Sequence, residues 1–161
     1  MFIDRIDGME KIILFGPLFT QAERVWNRLL KSAIEKAGRG KFEVILPQEE
    51  AKKFIKKNKI DIDAIVQSCL NNAGSMPIAV AILDGPDADS GTCIEIGFRK
   101  GRDRKLPVVG VRTDFRVSED GGLNAMLRIC DKIIYFPSFN TDIDALAQKI
   151  LAEINKLGRP V

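Results

Sequence analysis

The length, composition and charge of the chain are those of a globular protein with a single domain. It has 161 residues, of which 45% are apolar and 29% charged, so it can bury a sizeable core. Its net charge of +3 is too small to indicate nucleic acid or a membrane surface as a partner. Histidine is absent, which excludes Ser-His and Cys-His catalysis and leaves acid–base chemistry chiefly to carboxylates.

The first strand and helix are marked by strong local signals. Residues 1–10 are expected to form an irregular N-terminal extension, and residues 11–161 a single domain. The apolar run that begins at residue 11 stops at Gly16-Pro17, which predicts a short buried strand. Thr20 and Glu23 form a capping-box pattern, so we expect a helix to begin there and to end at Gly38. Trp26 falls on the apolar stripe of this helix and is expected in the core or in an interface.

The rest of the chain alternates between strand and helix patterns. We predict strands at residues 42–46, 77–83, 107–111 and 132–136, and helices at 50–57, 60–72, 90–101 and 142–157. The segment 77–83 is almost entirely apolar, as expected of a central parallel strand covered on both faces. The alternation favours an α/β fold, a doubly wound parallel sheet of about five strands with helices on both faces.

The three cysteines give no sign of a metal site or a disulfide. Cys69, Cys93 and Cys130 are widely spaced in apolar surroundings, and the chain has no CxxC pair. We therefore expect buried thiols in a reducing cytosol. No apolar run approaches about 18 residues and no signal peptide is recognisable, so a cytoplasmic protein that does not enter a membrane is expected.

Three segments are expected to meet at the edge of the sheet where ligands bind in such folds, beyond the carboxyl ends of the strands. They are the turn at residues 16–19, an acidic loop at residues 84–91 and a basic loop at residues 112–116. In the acidic loop, Asp89 and Ser90 stand at the start of the next helix, and Glu95 lies about one and a half turns further on. A Glu and an Asp that converge on one sugar are typical of retaining glycosyl transfer, in which one carboxylate attacks the anomeric carbon.

The same residues allow simpler interpretations. Asp89 could cap the helix while Glu95 pairs with Arg99, four residues later. Asp84, Asp87 and Asp89 could instead hold Mg²⁺, because hard cations bind clustered oxygens. A dinucleotide site is not indicated, since the glycine spacing of the first turn is wrong for one.

Six motifs follow one another in chain order over roughly residues 11–136. They are Gly16-Pro17-Leu18-Phe19, Leu46-Pro47-Gln48-Glu49, Ala81 to Gly85, Asp89 to Thr92 with Glu95 to Gly97, Arg112 to Arg116, and Asn124 to Leu127. Together they resemble the nucleoside 2-deoxyribosyltransferase family. The resemblance implies a flavodoxin-like fold and transfer of 2-deoxyribose between nucleobases through a covalent deoxyribosyl-enzyme. It implies no cofactor and no metal, and substrates that are a 2'-deoxynucleoside and a free nucleobase.

The resemblance also implies a role for each matched position. Glu95 matches the nucleophile and Asp89 the residue that holds the sugar hydroxyls. Asn124, with the region of Met126, matches a segment that a neighbouring subunit supplies, so a homo-oligomer with a shared site is expected. The remaining matches line the base pocket or the acidic loop. The expected substrate-binding residues are thus Gly16, Phe19, Gln48, Glu49, Asp84, Gly85, Ser90, Asn124 and Met126.

The chain departs from the family at two positions. Members often carry a Tyr in the first strand, bonded to the nucleophile, and an Asp on the helix before the third strand. Here Ile13 and Cys69 stand in those places, which leaves Asp84, Glu49 or a water as the proton donor to the leaving base.

Two rival functions remain open on the sequence alone. One is an N-glycosidase acting on deoxynucleoside 5'-monophosphates, with Thr20, Ser90 and Arg112 as candidates for the phosphate. Arg116 shares that possibility, although both arginines could pair instead with Asp87, Asp114 or Glu119. The other rival is a non-catalytic nucleotide-binding protein that kept the pocket and lost the chemistry.

Overall fold

A computed structural model describes residues 8–57, 59–117 and 122–158 of the chain. In chain order the elements are β1 (Glu10–Phe15), α1 (Gln21–Gly38), β2 (Phe42–Ile45), α2 (Pro47–Glu50), a 3-10 helix (Ala51–Phe54), β3 (Ile55–Lys56), β4 (Lys59–Ile60), α3 (Ile62–Ser75), β5 (Ile78–Ile82), α4 (Ser90–Arg102), β6 (Val108–Arg112), a second 3-10 helix (Ala125–Ile129), β7 (Lys132–Tyr135) and α5 (Ile143–Lys156).

The central sheet has five parallel strands in the order β2-β1-β5-β6-β7. The edge strand is therefore β2, and β1 lies between β2 and β5. Beyond β5, the sheet continues with β6 and β7. This is the order of flavodoxin-like folds, in which ligands bind where the strand order reverses, here between β1 and β5. The predicted α/β fold and its five-stranded parallel sheet are confirmed.

Helices cover both faces of this sheet, and β1 shows how its side chains are divided between them. Ile12 and Leu14 pack with the core under α1 and α5. Ile13 and Phe15 point to the opposite face and pack with α3 and α4. All four side chains are at most 2% exposed, which explains why this strand is a continuous apolar run rather than an alternating one.

The predicted start of α1 is confirmed. The Thr20 hydroxyl accepts a hydrogen bond from the Glu23 N–H, and the Glu23 carboxylate accepts one from the Thr20 N–H. The helix ends at Gly38, but the left-handed residue that follows is Arg39, with φ of 50°. Gly38 serves packing instead, since a Cβ there would lie 2.8 Å from the ring of Phe42.

The helix predicted at residues 50–57 is wrong. Only Pro47–Glu50 and the 3-10 turn Ala51–Phe54 are helical. Ile55 then pairs with Ile60 in the short antiparallel ribbon of β3 and β4. Most side chains from 52 to 57 are exposed, so a helix there would bury no apolar face and gain no tertiary support.

The predicted elements need two further corrections. Glu10, placed by the sequence in an irregular extension, lies in β1 and pairs with Phe42, while residues 1–7 of that extension lie outside the described residues. The 3-10 helix Ala125–Ile129 was not predicted. Among the described residues, no helix is long and apolar enough to cross a membrane.

Candidate active site

The acidic and basic loops meet at the carboxyl edge of the sheet through Asp84. This carboxylate accepts hydrogen bonds from the Thr113 N–H at 2.5 Å, the Thr113 hydroxyl at 2.6 Å and the Asp114 N–H at 2.9 Å. The Gly85 N–H donates in return to the Asp114 carboxylate. The predicted meeting of these two loops is therefore observed, and Asp84 joins them.

The turn after β1 reaches the same edge beside β5. A Cβ on Gly16 would lie 3.1 Å from the Cβ of Ile82, so glycine lets the two chains approach closely. Phe19, at the end of this turn, has 78% of its side chain exposed. The turn thus borders the point where the strand order reverses, with an aromatic ring open to a ligand.

The two arginines of the basic loop are both engaged by protein groups, but only Arg112 is buried, since Arg116 is exposed. The guanidinium of Arg112 is buried and donates to the carbonyls of Leu83, Gly85 and Arg116. Arg116 pairs with Asp114, with 2.5 Å between Nη2 and Oδ2, which confirms one of the expected ion pairs. That pair holds the pKa of Asp114 far below its usual range. Glu119, another expected partner, lies outside the described residues.

Asp89 begins α4 as its N-cap, as the sequence suggested. Its Oδ2 accepts both the Thr92 N–H at 2.9 Å and the Thr92 hydroxyl at 3.1 Å. A Cβ on Gly91 would lie 3.1 Å from the same oxygen. Among the described residues both bonds fall on Oδ2, so Oδ1 keeps its acceptor capacity for a ligand.

Glu95 lies partly buried on α4, six residues after that cap. Burial, with the nearby Asp89 carboxylate adding to it, raises the pKa of Glu95 to about 8 from its ordinary 4.5. The pairing of Glu95 with Arg99 that spacing suggested is wrong. The guanidinium of Arg99 is fully buried and donates to the carbonyls of residues 73, 76, 77 and 107.

The two departures from the family lie on the same side of the sheet as Glu95. Ile13 is fully buried in the core beneath α3 and α4. Cys69, on α3, is near enough to Glu95 for the two groups to interact electrostatically. Burial first and the Glu95 charge second raise the pKa of the Cys69 thiol to about 11. The thiol therefore stays protonated at neutral pH and is not a nucleophile there.

Gln48 and Glu49 follow β2 and contact α1. Gln48 is buried, its amide oxygen accepts from Asn27 at 3.1 Å, and its amide nitrogen donates to the Arg24 carbonyl. Glu49 lies 3.7 Å from the Lys31 ammonium. Sequence reasoning missed Asn27, although a polar residue within the apolar stripe of α1 was the available signal. Gln48 thus positions the helix that borders the first turn.

The remaining predicted site residues are open or shape the backbone. Met126 is 78% exposed, and Asn124 caps its 3-10 helix by accepting from the Met126 N–H at 3.0 Å. Ser90 is exposed in the first turn of α4. Gly85 has φ of 115°, a conformation that a side chain would strain.

The alternative Mg²⁺ site is not supported by this geometry. Asp84 is occupied by backbone and hydroxyl donors, Asp87 accepts from the Ala88 N–H, and Asp89 caps a helix. Among the described residues, no group of three or more His, Cys, Asp or Glu side chains could hold a metal ion.

The fold places the protein among flavodoxin-like α/β proteins, and the sequence identifies a family within that class. The model of the nucleoside 2-deoxyribosyltransferase family matches residues 12–127, most of the chain. The protein belongs to that family. The match includes Glu95, Asp89 and the other predicted site residues. Comparison with curated proteins found no match.

Several solved structures share this fold. A conserved protein from Enterococcus faecalis V583 is 25% identical, with a TM-score of 0.70 over 90% of this chain and 99% of that one. A 2-deoxyribosyltransferase from Bacillus psychrosaccharolyticus is 20% identical, with a TM-score of 0.60 over 83% and 90% of the chains. The Clostridium botulinum CMP N-glycosidase BcmB is 14% identical, with a TM-score of 0.58 over 89% and 99%.

Proposed function

We propose that this protein transfers 2-deoxyribose between nucleobases, with Glu95 as the nucleophile. The observation that carries the proposal is the environment of the Glu95 carboxyl. Its carboxyl is partly buried beside Asp89, inside the family match, and no cation pairs with it among the described residues. A carboxylate that is neither paired nor fully solvated is free to form a bond to carbon.

The reaction proceeds in two displacements at C1' of the sugar. The Glu95 carboxylate attacks C1', the bond from C1' to the base nitrogen breaks, and the base leaves with its electron pair and takes up a proton. A second base then attacks C1', releases Glu95 and loses a proton. Asp89 holds the sugar hydroxyls through Oδ1, the oxygen that its helix cap leaves unused.

The raised pKa of Glu95 fits the proton balance of the first step. With a pKa of about 8, the Glu95 carboxyl carries a proton at neutral pH in the free protein. It loses that proton before attack, and the leaving base needs one. A water that passes the proton from one to the other replaces the acid missing at Cys69, so Asp84 need not act as the donor. Asp84 instead fixes the loops that carry the site.

A second copy of the chain completes the site in this proposal. Met126 and Asn124 are exposed on their own subunit, on a short 3-10 helix at the molecular surface. Their exposure leaves them available to a neighbour, which is the role that the family resemblance gives them.

Base exchange is the direct test. The protein is incubated with deoxyinosine and adenine, and the formation of deoxyadenosine is followed by chromatography. We expect exchange in the native protein and a loss of at least about a thousandfold in Glu95→Ala, because the covalent step is removed. Exchange that persists in Glu95→Ala, or binding of deoxyinosine without any turnover, would overturn the proposal.

Hydrolysis of nucleoside monophosphates is the second candidate. Its support is the exposed Ser90 hydroxyl in the first turn of α4, where backbone N–H groups favour an anion. The Arg112 guanidinium, by contrast, is already bonded to three carbonyls. The same assay with deoxynucleoside monophosphates separates the two functions, and release of free base from monophosphates alone would favour the glycosidase.

A further inference from the structure

A cavity of about 320 Å³ opens at the carboxyl edge of the sheet on the side of α1 and α5. Its apolar walls come from Trp26 on α1, Phe136 just after β7 and Leu146 on α5. These side chains belong to or pack against the core under α1 and α5, whereas α4, which carries Glu95, covers the other face of the sheet. The volume falls in the range of small-molecule sites, and Glu95 is not among the residues that line the cavity.

The mouth of the cavity is polar, with one negative charge. Ser138 and Thr141 bring hydroxyls, and Asp84 brings a carboxylate. Oδ1 of Asp84 already accepts two hydrogen bonds and Oδ2 one. Because a carboxylate has about four acceptor positions, Oδ2 keeps one of them. Asp84 can therefore accept an N–H from a molecule inside the cavity.

This lining selects a narrow class of ligand. An anion would meet the Asp84 charge, and none of the described residues that line the cavity is a lysine or arginine. A purely apolar molecule would strip water from Asp84 without replacing its hydrogen bond. A small planar ring packs against the indole of Trp26 and the ring of Phe136, and its N–H groups satisfy Asp84.

We propose that this cavity is a second ligand site, for a small planar nitrogen heterocycle such as a free nucleobase. The proposal does not depend on chemistry at Glu95, since the ligand is bound on the opposite face of the sheet and need not react.

Trp26 provides a specific readout, because it is the only tryptophan in the chain. Adenine and cytosine are titrated while tryptophan emission is followed, with benzoate as a planar anionic control. We expect a saturable change with at least one base, with a Kd below about 1 mM, and none with benzoate. A response that does not saturate, or an equal response to benzoate, would overturn the proposal.

Variants separate this cavity from the site beside Glu95. Ser138→Phe fills the mouth and is expected to weaken the response at least tenfold, while the matched Ser138→Ala keeps it. Thr141→Phe serves as a second blocking variant if Ser138→Phe melts at a lower temperature. Glu95→Ala should leave the titration unchanged, and Ser138→Phe should leave base exchange unchanged. Binding in both Ser138→Phe and Thr141→Phe that is as tight as in the native protein would overturn the proposal. Loss of the response in Glu95→Ala would overturn it as well.

Discussion

The carboxyl of Glu95 holds a proton that an ordinary glutamate loses well below neutral pH. Its pKa is about 8 in the folded protein, chiefly through burial, against 4.5 for an ordinary side chain. Between those two values the folded state binds a proton that the unfolded state has released. The free energy of unfolding therefore falls as the pH rises from about 4.5 to about 8. The cost is that of ionising the buried Glu95 carboxyl in the folded protein, and it is absent below that pH window and complete above it.

Replacing Glu95 by Gln removes this cost and leaves the shape nearly unchanged. We expect Glu95→Gln to raise the free energy of unfolding by about 1–3 kcal/mol above pH 8 and by almost nothing near pH 4. Urea unfolding across that pH range measures the difference. In an Asp89→Asn background the pH slope should be shallower, because a neighbouring like charge is gone. A gain that does not change with pH would contradict the assignment.

Substitutions of Cys69 test whether base exchange is slowed because no acid stands there to protonate the leaving base. An aspartate there would be partly buried beside Glu95, so its pKa would be raised and it would stay protonated enough to donate. We expect Cys69→Asp to speed base exchange roughly tenfold or more. Cys69→Asn is the matched control, with the same shape and no acidic proton. Equal rates in the two variants would contradict the expectation that the missing acid slows base exchange.

Local spacing predicted some residues of the site and misled at others, for a physical reason. The Asp89 cap and the Thr20–Glu23 capping box are contacts within one turn of helix, which spacing alone encodes. Arg99 donates instead to carbonyls 22 to 26 residues away across the edge of β5, and Arg112 to one that is 29 residues away. Those partners are set by tertiary packing, which spacing along the chain does not contain.

The acidic loop depends on one glycine for its conformation. Gly85 has φ of 115°, and a Cβ there would lie 2.6 Å from the Asp87 carbonyl oxygen. We expect Gly85→Ala to lower the free energy of unfolding by about 1–3 kcal/mol. Because the loop leads to Asp89, base exchange should fall as well.

A glycine on the helix that follows is the matched control. In Gly101 of α4, an added Cβ meets nothing within 4 Å, and Gly101→Ala is expected to stabilise the helix by about 0.5–1 kcal/mol. Thermal melts of both variants give the comparison. The strain argument fails if Gly85→Ala melts as high as Gly101→Ala.

Whole elements were predictable where a buried face fixed them. The five parallel strands and the helices α1, α3, α4 and α5 each bury apolar side chains. Apolar runs in the sequence predicted the strands, and apolar residues at helical spacing predicted the helices. Residues 50–57 bury little, so their apparent helical pattern had no core to confirm it, and they formed a 3-10 turn and a short ribbon. Burial, rather than helix propensity, decided which predictions held.

The surface of the molecule carries apolar side chains that a single copy leaves uncovered. Val66 on α3 is 47% exposed, and on α4 Ile94 is 63% and Phe98 37% exposed. Ile94 and Phe98 are four residues apart and share one side of α4 with each other. Together with the exposed Met126, they support the proposal that a second copy completes the site.

Mixing inactive subunits tests that proposal directly. Glu95→Ala lacks the nucleophile, and Asn124→Asp keeps an acceptor for the Met126 N–H but changes the group offered to a neighbour. Each is expected to be nearly inactive alone. If the site joins Glu95 of one subunit to Asn124 of another, a dimer containing one of each has one intact site, and random assembly restores about a quarter of the native activity.

Glu95→Ala mixed with Asp89→Asn is the matched control for this experiment. Asp89 and Glu95 lie on the same helix of the same chain, so every site in that mixture lacks one of them, and no recovery is expected. Recovery in the first mixture and not in the second therefore requires a site built from two chains. Full activity of Asn124→Asp alone would mean that Asn124 is not part of any site, and recovery in neither mixture would contradict a site built from two chains.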